Sequence, residues 1–128
     1  MPGPARAGIL VYAKDLSRLA AFYADVLGGV VVTADPDHQV IATRDQQVVV
    51  HAIPPAIAET ITIDVPPVLR EDAVFKPFFT VDSLAAARER AHHLGGGVFE
   101  EEWRGPGFVV RNAFDCEGNI VQLRELTA

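Results

Sequence analysis

Short runs rich in β-branched and aromatic residues alternate with two longer stretches whose apolar residues recur at helical spacing. Ile9 to Ala13 is the first extended run, and Asp15 follows it where a carboxylate can cap a helix by accepting backbone N–H bonds. Leu16, Leu19, Ala20, Tyr23 and Leu27 then form one apolar stripe, and Gly28 suits the left-handed position that ends such a helix. Val30 to Thr33, Gln39 to Thr43 and Val48 to Ile53 read as three further strands. The first half therefore predicts the order βαβββ.

The same grammar returns 67 residues later, where Asp15, Leu27, Gly28 and Gly29 recur as Asp82, Leu94, Gly95 and Gly96. Phe78 to Val81 opens the second copy, Asp82 is its predicted cap, and Leu84, Ala87, Ala91 and Leu94 make its inward stripe. Val98 to Trp103, Phe108 to Phe114 and Ile120 to Glu125 supply the remaining strands. Asp115-Cys116-Glu117-Gly118-Asn119, between the last two, has hairpin-turn composition. Pro54, Pro55, Pro66 and Pro67 bound a linker that cannot be continuous helix or central strand, with Ile61 to Val65 a candidate extended piece within it. The expectation is one domain over 1–128, with module one at about 8–53, a linker at about 54–72 and module two at about 73–126. A short frayed tail, Met1 to Ala7, precedes it.

With 128 residues, 49% of them apolar, the chain can bury one core, although each half alone would be marginal. A net charge of -6 and a pI near 5.1 argue against nucleic acid or an anionic membrane as partner, since both demand a basic surface. A neutral or cationic small molecule is compatible with that charge. The single cysteine, Cys116, excludes an internal disulfide framework and fits a reducing compartment. No 18-residue apolar run and no basic-then-apolar leader occurs, which predicts a soluble, cytoplasmic protein.

GILVYAKDLSRLAAFYADVLGGVVV (Gly8 to Val32), KPFFTVDSLAAARERAHHLGG (Lys76 to Gly96) and FDCEGNIVQLRE (Phe114 to Glu125) resemble the glyoxalase/bleomycin resistance protein/extradiol dioxygenase superfamily, also called vicinal oxygen chelate proteins. The most specific pieces are Phe22-Tyr23 with Leu27-Gly28, and the Glu117-Gly118-Asn119 turn running into Val121-Gln122-Leu123. Where the superfamily usually has Asp-Pro before Glu-Gly-Asn, this chain has Asp115-Cys116. The resemblance implies an α+β fold of two βαβββ modules, whose curved mixed sheets surround a cup-like cavity, and commonly a homodimer.

Metal-dependent members of the superfamily hold a divalent ion with His, Gln or Glu from the first and last strand of each module. Carried over by that resemblance, the positions fall on Gly8, Lys76, Val49 and Gln122. Gly8 offers no side chain, an ammonium at Lys76 repels a cation, and only Gln122 can coordinate. A slip of two residues brings His51 to the ligand position with the same strand parity, which still gives two donors where stable sites need three or four. The reading is therefore no metal and no other cofactor.

By strand parity, Lys76, Phe78 and Thr80 share one face with Val49, His51 and Gln122, mixing a base, an aromatic ring, a hydroxyl and an imidazole. Apolar walls with a few orienting polar groups suit a small ligand. Trp103 and Arg104, before the Gly105-Pro106-Gly107 turn, and Arg111 and Asn112 on the next strand are candidates for the rim. Ordinary roles compete for each. An imidazole at His51 is commonly satisfied by a backbone carbonyl, Lys76 can snorkel to solvent, and Trp103 can pack or form a dimer contact. His92 and His93 point about 100° apart on a helix and favour its negative end, so they do not read as a metal pair. Acidic neighbours at Cys116 oppose a thiolate nucleophile.

Two functional classes follow. In the first, the chain is a metal-free binding protein similar to the bleomycin resistance branch, holding a cationic or aromatic compound. In the second, it is an enzyme of the glyoxalase (lyase/isomerase) or extradiol dioxygenase type. There His51 would be base or ligand and Gln122 a second ligand; a metal-free variant would use His51 as base and Lys76 as electrostatic stabiliser.

Overall fold

The computed structural model describes residues 7–127; the expected tail, Met1 to Ala7, lies outside them except for Ala7. Eleven elements follow in order: β1 (Gly8–Ala13), α1 (Leu16–Val26), β2 (Val30–Ala34), β3 (His38–Ala42), β4 (Gln47–Ala52), α2 (Pro55–Ala58), β5 (Phe78–Thr80), α3 (Leu84–His93), β6 (Gly97–Gly105), β7 (Phe108–Phe114) and β8 (Ile120–Leu126). The repeated βαβββ order predicted from the apolar pattern is present, and so is the α+β class that the resemblance implies. The strands form two four-stranded mixed sheets of order β1-β4-β3-β2 and β5-β8-β7-β6. In each, the module's first strand pairs parallel with its last, and the other pairings are antiparallel.

Asp15 caps α1 as expected, its carboxylate accepting the Arg18 N–H at 3.2 Å. Gly28 takes φ +63 at the helix end, where any side chain would be strained. The second cap differs from expectation. Ser83, not Asp82, caps α3, its hydroxyl accepting from Ala86 N at 3.1 Å, and Glu125 accepts the Leu84 N–H at 2.7 Å. Serine one residue later fills the same role, so the duplicated Asp is a poorer guide than the local capping chemistry. Ile61 to Val65 is not a strand either; the linker carries only the single turn α2, opened by Pro55 at a position that needs no N–H.

Helix α1 lies against β3 and β4, α3 against β6 and β8, and the two helices touch each other. Leu19, Phe22, Tyr23, Ile41, Val48, Val50, Phe79, Ala87, Ala91 and Leu123 are buried in one continuous core crossing both modules. The polar seam of that core is the Asp115–Asn119 turn. Asp115, fully buried, accepts from Tyr23 Oη at 2.6 Å, Asn119 Nδ2 at 2.8 Å, Glu117 N at 2.9 Å and Asn119 N at 3.1 Å. Glu117 reaches back to the first module, accepting from Lys14 N and Asp15 N, both at 2.9 Å. Two buried carboxylates are thus satisfied across the module boundary, as buried charges must be. Gly118 completes the turn at φ +90, where a Cβ would also collide with the Val68 carbonyl of the linker.

Candidate functional site

Each sheet is covered by a helix on one face and open on the other, and strand parity decides which residues reach the open side. In β8, Val121 and Leu123 are buried under the helix, so Gln122 and Arg124 face the opposite way. Cross-strand register extends that face in two rows: Phe78 beside Gln122 beside Asn112, and Thr80 beside Arg124 beside Val110 beside Trp103. Lys76, just before β5, edges it and lines a cavity of about 380 Å³ with Arg70, Phe99, Glu101, Trp103 and Asn112. A wider cleft of about 1010 Å³ runs from Arg44 and Gln46 past Phe78 and Thr80 to Leu126.

Of the residues singled out by sequence, Phe78, Thr80, Trp103, Asn112 and Gln122 share this open face, with Lys76 at its edge. Arg104 and Arg111 do not. Arg104 pairs with Val109, and Arg111 with the buried Leu123, which puts both on the helix-covered face. Arg111 is engaged there, its Nε donating to Glu102 Oε1 at 3.2 Å.

His51 lies on the other sheet. Its partners are Tyr12 on β1 and His38 on β3, with ring centroids 5.8 Å and 6.0 Å away. Nδ1 of His51 is 2.8 Å from the Ala52 carbonyl, which fixes the proton on Nδ1 and leaves Nε2 as the basic nitrogen. His38, which sequence reasoning did not single out, has Nδ1 3.0 Å from Asp35 Oδ1. The Asp35 carboxyl is held below its ordinary range, chiefly by the backbone N–H groups of His38 and Asp37.

Arg124 was also missed. Its guanidinium carbon sits 3.8 Å from the centroid of the Phe78 ring and 4.3 Å from that of Phe108. Parity carried two residues onward from Gln122 would have placed it on the open face; the flanking ring of Phe108 requires the β7–β8 register.

The donor set tests whether the divalent ion of the metal-dependent proteins that the sequence resembles fits. Gly8, Val49 and Lys76 contribute no ligand atom, and Gln122 contributes one neutral amide oxygen, so the residues do not fit such an ion. Among the described residues no group of three or more His, Cys, Asp or Glu is arranged to hold a metal. Cys116 is buried, and burial first, then Asp115, pushes its thiol up to about 12, opposite to what a nucleophile needs. No helix among the described residues is long and apolar enough to cross a membrane.

A family model described as a glyoxalase-like domain matches residues 8–123. No curated protein matches the chain. Among solved structures, a lactoylglutathione lyase from Agrobacterium tumefaciens is 27% identical, with 97% of this chain and 95% of that one covered and a TM-score of 0.57. The fosfomycin resistance protein FosX from Mesorhizobium loti is 16% identical, with 99% and 95% covered and a TM-score of 0.63. A bleomycin resistance determinant encoded on the transposon Tn5 is 18% identical, with 96% and 98% covered and a TM-score of 0.56.

Proposed function

The chain belongs to the glyoxalase-like domain family, within the glyoxalase/bleomycin resistance/dioxygenase superfamily, and we propose that it is a metal-free, cytoplasmic, homodimeric protein that binds a small molecule on the open face of its second sheet. The observation that carries this reading is the make-up of that face. Phe78, Val110 and Trp103 offer apolar contact, while Thr80, Gln122, Asn112 and Arg124 present convergent polar groups. Such a mixture binds small ligands by burial and orients them by a few hydrogen bonds. Where metal-dependent members place ligands, this chain has Gly8, Val49, Lys76 and Gln122, of which only Gln122 can coordinate, and that favours binding over metal chemistry. Large apolar side chains on the open side of the first sheet, Leu10, Tyr12 and Val30, favour a partner subunit there.

A thermal-shift screen of small aromatic compounds, followed by titration monitored at Trp103, tests the reading. A compound that raises the melting temperature and perturbs Trp103 emission supports it; a screen without any hit overturns it.

A second reading, metal-free proton transfer, rests on the Nδ1 bond that leaves His51 with a basic Nε2. His51→Ala separates the two: under the binding reading ligand affinity changes by less than about threefold, whereas an enzyme would lose turnover.

A further inference from the structure

Arg124 lies on the open face of the second sheet, held between two rings and, among the described residues, paired with no anion. Its guanidinium is gripped between the rings of Phe78 and Phe108, which reach it from strands on either side. Its neighbours on that face are Thr80 and Val110 across the ladders and Gln122 and Leu126 along β8, none of them acidic. Arg88 and Arg111, by contrast, each pair with a glutamate. Among the described residues, two buried side-chain polar atoms have no hydrogen-bond partner, and both belong to this face: Nε of Arg124 and Oδ1 of Asn112. Buried polar atoms are ordinarily paired, because each one left alone costs the free energy of its desolvation.

The two atoms ask for different things. Arg124 Nε–H is a charge-assisted donor with the planar fork that matches a carboxylate, and Asn112 Oδ1 is an acceptor that needs an O–H or N–H. Asn112 stands opposite Gln122, one diagonal step from Arg124, and diagonal neighbours on a sheet are about 7–8 Å apart. That is the span of a small hydroxy acid. Trp103, in the same row as Arg124, supplies a flat apolar wall for a planar body.

Resting on the proposal that this face binds a small molecule, we infer that its ligand is an anion: a planar carboxylic acid, ionised, that also carries a hydroxyl or amine donor. The carboxylate pairs with the terminal Nη groups of Arg124, whose Nε is itself covered, and the donor with Asn112 once its carboxamide turns Oδ1 out of its buried position. The overall charge of -6 does not oppose this, since screening limits distant charges to about 8 Å at physiological salt while the ring-held guanidinium acts at contact.

3-Hydroxybenzoate and 6-hydroxy-2-naphthoate, whose hydroxyls stand too far from the carboxylate to bond to it, each compared with its neutral carboxamide by isothermal titration calorimetry, test the inference. The acids should bind about 10- to 100-fold more tightly than the amides, a preference that Arg124→Gln removes and Arg124→Lys restores only in part. Circular dichroism and the melting temperature establish that each variant is folded. Equal affinity for acid and amide overturns the anion assignment and leaves small-molecule binding standing. An acid preference that survives Arg124→Gln places the anion site elsewhere and overturns the role of Arg124. Binding of neither acid nor amide overturns the inference, and the wider aromatic screen then decides the binding reading separately.

Discussion

The hydroxyl of Tyr23 donates a 2.6 Å hydrogen bond to Oδ2 of Asp115, joining helix α1 of the first module to the last turn of the second across 92 positions. Both residues are buried, so the bond forms out of competition with water. Tyr23→Phe keeps the ring among Phe22 and Phe79 and deletes only the donor. It should destabilise the protein by about 1–3 kcal/mol, read from the midpoint of urea unfolding.

Glu117 fastens the start of α1 from the other module through the amides of Lys14 and Asp15. Glu117→Ala leaves both donors without a side-chain partner and should cost about 2–4 kcal/mol. Glu117→Gln keeps one acceptor oxygen and should cost about half as much. Native-state hydrogen exchange checks the cause as well as the size: both amides should exchange faster in the alanine variant.

The helix caps give a paired prediction. Ser83→Ala should cost about 1 kcal/mol because the hydroxyl caps α3, whereas Asp82→Ala, one residue earlier, should stay within about 0.5 kcal/mol. Equal losses in thermal unfolding would contradict the assigned cap.

Alkaline stability follows from two raised groups. Burial first, then Asp115, lifts the Cys116 thiol from 9.0 to about 12. The same two causes hold the Tyr23 hydroxyl well above 10.0. An unfolded chain releases these protons first, so their contribution is fully present below pH 9 and is lost as pH rises from there toward the folded values. Urea midpoints should be flat to about pH 8.5 and fall above it, and Cys116→Ala should make the early part of that fall shallower. Native Cys116 should not react with a thiol reagent at pH 8.

The fold was largely legible because its signals are local. Leu19, Ala20 and Tyr23 recur at helical spacing, Gly28 takes the left-handed turn expected of it, and the copy at Lys76 to Gly96 repeats the module. The helix cap went to Ser83 because cap choice depends on which side chain meets the free N–H groups, a matter of one residue. The site was legible only where strand parity suffices. Phe78, Thr80 and Gln122 followed from alternation along β5 and β8. Arg104 and Arg111 fell on the covered face because the rim was read from nearness to the Gly105–Gly107 turn rather than from alternation along β6 and β7. The Arg124 grip needs rings from two other strands, and the pairing of His38 with His51 needs the β3–β4 register. Neither register is written in a single segment.

The most direct measurement is the metal content of tag-free protein by elemental mass spectrometry, after incubation with manganese, iron, nickel and zinc salts and desalting. The account predicts far less than one metal ion per chain, with the aromatic-ligand response unchanged by chelator. Near-stoichiometric retention that disappears in His51→Ala or Gln122→Ala would contradict the metal-free reading and make the protein a metalloenzyme candidate.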